Sequence, residues 1–194
     1  MSATRLFSFL SLVIACTTLA QTPTPAPATF PPVRSQVSVG TQQRRLGDSY
    51  QKSMEITPKV IIEGSQRMNR IPPAEATMII AAMDTRAKYT LKQEVYQVLS
   101  AETLPVPEAK NGDRRTFSFA PSSVTFDSYR DTTNIGGLVY KYYVYGLRDP
   151  ETKKIIDFQT NYPQLAAAVK AKPELRDEVL SLTRGANLPA TLNK

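Results

Sequence analysis

Residues 138–147 read LVYKYYVYGL, and residues 154–159, beyond an Asp149-Pro150-Glu151-Thr152 turn, read KIIDFQ. Tyrosine, valine and isoleucine favour strands, and a polar turn between two such runs predicts a β-hairpin. Side chains alternate across a strand. Tyr140 and Tyr142 fall in register with Leu138 and Val144, an apolar or aromatic set expected to face the core. Tyr143 and Tyr145 fall in register with Lys141, a residue type almost never fully buried. The expectation is therefore an exposed face of Tyr143, Tyr145 and Lys141, able to stack on sugars or a partner's apolar patch. Ordinary cross-strand packing is the competing account of the same cluster.

Working outward from this hairpin, the same period recurs. Met54, Ile56, Val60 and Ile62 alternate with mostly polar neighbours over Met54–Glu63. Pro58 lacks an amide donor, so that strand should lie at a sheet edge or carry a bulge. Ala74–Met83 is apolar on both strand faces, as in a buried central strand, and a helix over 74–99 is the alternative. Val95–Val98 makes a further short strand, and Leu104-Pro-Val-Pro107 cannot be helix. Phe117 and Phe119 share one strand face, as do Val124 and Phe126. After Pro163 and Pro173 the period lengthens, with Leu175, Val179 and Leu182 on one helical face. The fold class expected is mainly β: an antiparallel β-sandwich, immunoglobulin-like or related, with a short C-terminal helical pair at one end. If 74–99 were a helix, the class would be α+β.

The chain has 194 residues, one cysteine, no histidine and no tryptophan. Without histidine there is no Ser-His-Asp triad, Cys-His dyad or histidine-bound zinc. A single cysteine makes neither an intrachain disulfide nor a cysteine-rich metal site. No cofactor and no transition metal are expected.

Residues 1–20 have the three parts of a secretory signal: Arg5, a short apolar run from Leu6 to Ala15, and small residues ending at Ala20. Cleavage after Ala20 is the favoured reading. In the alternative, Val13-Ile14-Ala15-Cys16 resembles a lipobox and Cys16 is lipidated. Either way, an exported protein is expected, placed in the periplasm, outer envelope or extracellular space. Residues 21–49, with five prolines by position 32 and then a Ser/Gln/Arg-rich stretch, read as a disordered linker. The domain is then 50–185, with a tail at 186–194. The net charge of +7 is interleaved and carries no nucleic-acid motif, so it reads as solvated surface.

Three further groupings have chemistry in reach. Ser49-Tyr-Gln-Lys52 matches the S-x-x-K of penicillin-interacting serine enzymes, but S-D-N and K-T-G companions are missing. Asp127-Ser-Tyr-Arg-Asp-Thr-Thr-Asn134 clusters oxygen groups suited to calcium or, more ordinarily, to a turn. Asp84, Asp127, Asp149 and Asp157 could supply a pair of carboxylates for glycoside hydrolysis only if the fold placed two across a cleft. The function expected is an exported, non-catalytic module that binds an envelope protein or polysaccharide, touching membrane only through a lipid anchor. The alternatives are a small envelope-polymer hydrolase using carboxylates or a Ser/Lys pair, and a structural subunit docking through an edge such as Met54–Glu63.

Overall fold

The computed structural model describes residues 33–47, 50–64, 70–110, 113–128 and 136–189. The signal-like residues 1–20 with Cys16, the proline-rich residues 21–32, Ser49 and most of the oxygen-rich loop lie outside them. The strands are β1 (Val33–Arg45), β2 (Gln51–Gly64), β3 (Arg70–Ile71), β4 (Ala74–Asp84) and β5 (Tyr96–Val106). They continue as β6 (Ala109–Lys110), β7 (Arg114–Ser118), β8 (Ser122–Asp127), β9 (Leu138–Arg148) and β10 (Ile155–Thr160). Helices α1 (Thr85–Tyr89), α2 (Pro163–Ala171) and α3 (Leu175–Leu180) are short.

The chain is mainly β and antiparallel, as the alternating patterns predict. One sheet has β2 at its centre, with β1 along one side and β8 then β7 along the other. The second runs β10-β9-β4-β5, so Ala74–Asp84 is the buried central strand and the helical alternative for 74–99 is set aside. Met54, Ile56, Val60 and Ile62 from the first sheet meet Ala76, Met78, Ile80, Tyr145 and Leu147 from the second in one continuous core. Phe117, Phe119, Val124 and Phe126 close this layer.

The second sheet is buried on its other face too. Ile79, Ala81, Val98 and Val144 pack beneath Leu165 and Val169 of α2 and Val179 of α3. The helical pair therefore covers a sheet face and does not sit at an end of the sandwich. Pro163 opens α2 at its first turn, where a missing amide costs nothing. Gly146 marks the contact with α3: an added Cβ would lie 2.3 Å from Leu180 Cδ1.

Pro58 sits in a central strand, not an edge. Its carbonyl accepts from Phe119 N at 3.1 Å. There the partner register slips by one residue, from Lys59↔Ser118 to Ile56↔Ser122. The missing amide thus falls opposite an irregularity in the neighbouring strand and breaks no ladder bond. With β2 central, Met54–Glu63 offers no free edge for a docking partner.

Two boundaries are corrected. Residues 33–45, expected in the linker, form a 13-residue strand paired with β2 along its length. Val33, Val37 and Val39 alternate inward onto the core, while the outward residues are Arg34, Gln36, Ser38 and Gly40. Half of an edge strand faces water, so its overall composition resembles a linker's. At the other end, Leu188 is buried and its amide donates to Tyr96 O at 2.8 Å. Ala186 O accepts from Val98 N at 2.8 Å. Residues 186–189 therefore belong to the domain, docked on the edge of β5.

Candidate functional site

The tyrosine cluster on β9 is arranged differently from the simple alternation. Ala81 faces Tyr142 while its neighbour Ala82 faces Tyr140, so Lys141 is an extra residue in the ladder. This bulge shifts the alternation by one. Tyr140 consequently joins Tyr143 and Tyr145 on the side facing the first sheet. Tyr142 turns to the helical layer, stacked on Tyr162 with centroids 4.1 Å apart, and Tyr96 meets its ring edge-on at 5.0 Å. Tyr145 is fully buried and Tyr143 half-buried, which removes both from any exposed binding face. Burial raises the phenol of Tyr145 above its ordinary value and pushes that of Tyr140 up to about 12. Lys141 alone of the three candidates is exposed. Beyond the end of β10, the Asn161 side chain replaces a strand, accepting from Tyr143 N at 2.7 Å and donating to Lys141 O at 3.4 Å.

Lys141 points to the feature that does resemble a site. At the end of the sandwich where the bulge lies, the two sheets part around a cleft of about 280 Å³. Its floor is apolar, with Met54 and Phe126 from one sheet and Met83 and Val139 from the other. Its charged groups are Lys52 from β2, Asp127 from β8 and Lys141 from β9. Among the described residues none of these three side chains has an ion-pair partner within 4 Å. Gln43, Thr85, Tyr89, Ser128 and Gly136 complete the lining.

The walls are held by backbone contacts. Asp84 caps α1, its Oδ1 accepting from Ala87 N at 3.0 Å. Thr85 donates through both N and Oγ1 to Gly137 O, at 3.1 and 3.0 Å. Gly137 has φ +90, and a Cβ there would lie 2.1 Å from Thr125 O, so only glycine fits this return of the chain to β9. On the opposite wall, Ser128 donates through N, at 2.8 Å, and through Oγ to Tyr50 O. The Thr85 and Ser128 hydroxyls thus both give their protons to backbone carbonyls. The arrangement can hold a polar ligand by charge and apolar contact from preset walls.

The four aspartates considered for paired-carboxylate chemistry are dispersed. Asp84 caps a helix, and Asp149 organises the hairpin turn, accepting from Glu151 N at 2.9 Å and Thr152 Oγ1 at 2.8 Å. Those hydrogen bonds hold the Asp149 carboxyl below its usual range, the Thr152 hydroxyl contributing most. Asp157 accepts from Gln159 Nε2 at 2.9 Å. Of the four, Asp127 alone lines the cleft. Of the Ser49/Lys52 pair, Lys52 lines it and Ser49 lies outside the described residues. Sequence reading met Lys52, Asp127 and Lys141 in three separate motifs. Their convergence depends on β2, β8 and β9 meeting at one end, which no local spacing encodes.

No family model matches the chain, and no curated protein matches it. Among solved structures, a chain from Akkermansia muciniphila is 12% identical, with 69% of this chain and 73% of that one covered and a TM-score of 0.31. A calcium-binding mutant of Bacteroides uniformis beta-glucuronidase 2 is 15% identical, with 63% of this chain but 12% of that one covered and a TM-score of 0.35. A structural-genomics target, SoR45, is 9% identical with a TM-score of 0.30, covering 66% of this chain and 85% of that one.

Proposed function

We propose that this protein is an exported, non-catalytic β-sandwich module that binds a polar polymer of the cell envelope in the cleft between its sheets. The observation that carries the reading is the cleft itself, where Lys52, Lys141 and Asp127 converge without ion-pair partners among the described residues. Lys52 and Asp127 are part-buried and Lys141 is exposed beside them, so a ligand of complementary charge finds unpaired groups ready to receive it. Two ammonium groups against one carboxylate favour a ligand carrying anionic groups, such as an acidic polysaccharide. Methionine and phenylalanine beneath them supply apolar surface for sugar rings. Sandwich ends are a recurrent place for such sites, because loops and strand ends can vary there without disturbing the core. Export rests on the signal-like pattern of residues 1–20.

Calorimetric titration with alginate oligosaccharides, and with neutral dextran as control, tests the binding. Wild-type protein should bind the acidic oligosaccharide, and the Lys52→Ala/Lys141→Ala variant should lose at least about tenfold in affinity while melting normally. Equal binding by both proteins would overturn the cleft as the site. N-terminal sequencing of protein recovered from an exporting host tests the address, with a chain still beginning at Met1 counting against it.

A further inference from the structure

Near the cleft lie the residues that carry a feature scarce among the described residues. Three large apolar side chains are exposed among the described residues: Leu46 at 41%, Tyr50 at 49% and Leu91 at 59%. Single exposed apolar residues are ordinary on a protein surface. All three stand within three positions in the chain of residues that line the same opening. Leu46 and Tyr50 lie at the β1–β2 connection, two or three positions along the chain from the cleft residues Gln43 and Lys52. Leu91 follows α1, two positions beyond the cleft residue Tyr89.

Backbone hydrogen bonds fix the turn that exposes Leu91. Its amide donates to Ala87 O at 3.2 Å, Gln93 N donates to the same carbonyl at 3.0 Å, and Lys92 between them adopts φ +57. Cations surround these tips. Arg45, Arg86 and Lys92 are exposed, with Lys52 and Lys141 just inside the opening. Of the neighbouring described carboxylates, Asp84 caps α1 and Glu94 pairs with Lys88 at 2.6 Å, while Asp127 lines the opening without an ion pair. Among the described residues this end therefore carries more cations than carboxylates, with three exposed apolar side chains.

We infer that this end of the sandwich docks on an anionic lipid surface, with Leu46, Tyr50 and Leu91 entering the headgroup region and the surrounding cations facing lipid phosphates. The two features together select the partner. Basic groups alone would suit any polyanion, whereas apolar tips gain only where there is an apolar layer to enter. Tyrosine suits such a boundary, with an apolar body and a polar hydroxyl. The inference rests on the reading of this end as the binding end, and it names a second partner for the rim.

Sedimentation of the full chain with phosphatidylcholine vesicles, with and without about 30% phosphatidylglycerol, tests it. Wild-type protein should partition onto the anionic vesicles and stay soluble with the neutral ones. The Leu46→Ser/Tyr50→Ser/Leu91→Ser variant should partition at least about tenfold less, and Arg86→Gln/Lys92→Gln should lose about fivefold per cation removed. Both variants change exposed positions and retain residues 1–20, so any contribution of that apolar segment cancels in the comparison. Partitioning unchanged by the apolar substitutions would overturn the inference, as would equal binding to neutral vesicles. Capture by dextran sulfate that survives the apolar substitutions, without vesicle binding, would identify a polyanion surface instead and overturn it too. Alginate titration separates the two proposals. Oligosaccharide binding without vesicle binding refutes the lipid inference alone, and vesicle binding without oligosaccharide binding refutes the cleft ligand alone.

Discussion

The hydroxyl of Tyr145, on β9, lies 3.2 Å from Oγ of Ser35, on β1, joining the two sheets across their interface. Gln159 Nε2, from β10, donates to the Ser35 carbonyl at 2.8 Å. Together these contacts tie the first strand of one sheet to two strands of the other. Both hydroxyls are buried, so each answers a group that would otherwise lack a partner. A tyrosine at this position is therefore a core residue with a polar end that needs β1 in place.

Tyr145→Phe should cost about 1–3 kcal/mol, because it strands the Ser35 hydroxyl. Tyr145→Ala should cost about 3–5 kcal/mol, the range for truncating a buried aromatic side chain. Lys141→Ala, at an exposed bulge, should stay within about 0.5 kcal/mol of wild type. Urea unfolding of the three variants checks the order, and a Lys141→Ala loss equal to that of Tyr145→Ala would contradict the bulged register.

Amide exchange reads the pairing of β1. The Ser35 carbonyl points to β10, and the Pro58 carbonyl opposite Val39 points away from β1. Hydrogen-bonded pairs alternate along an antiparallel ladder, so the amides of Gln36, Ser38 and Gly40 face β2 and those of Val37 and Val39 face outward. The first three should exchange slowly and the last two fast. Uniformly fast exchange over 33–45 would mean that this segment is the linker its composition suggests.

Gly146→Ala should destabilise the domain by about 1–3 kcal/mol, because the new methyl meets Leu180 and α3 must shift. Shortening the obstacle should recover part of the loss. The double variant Gly146→Ala/Leu180→Ala should then be less destabilised than the sum of its single changes. Simple additivity in a double-mutant cycle would show that the two do not compete for the same space.

Stability should fall at high pH. Burial pushes the phenols of Tyr140 and Tyr162 up to about 12 from an ordinary 10.0. The fold favours the neutral form of each, so that contribution is whole below pH 10 and drains away as pH rises toward 12. Each such group adds a slope of up to about 1.4 kcal/mol per pH unit. Urea midpoints should hold steady up to about pH 10 and then drop, less steeply in Tyr140→Phe. A midpoint independent of pH across this window would show that these phenols ionise as freely folded as unfolded.

The sequence by itself determined most of the strands, because the alternation over Met54–Glu63 and the tyrosine, valine and leucine of Leu138–Leu147 are local properties, whereas the doubly apolar Ala74–Met83 left a helix open. It also determined the Asp149–Thr152 hairpin and the helical pair after Pro163, where turn chemistry and a change of period are local as well. The partners of each face were not local. Whether Tyr143 and Tyr145 meet water depended on the first sheet packing over their face, with β1 and β2 arriving from far earlier in the chain. Whether 33–45 was linker or strand depended on β2 offering an edge, since a half-solvated strand has no composition of its own. The cleft was decided last of all. Lys52, Asp127 and Lys141 belong to unrelated stretches of chain, and only the meeting of β2, β8 and β9 at one end of the sandwich brings them to one cleft.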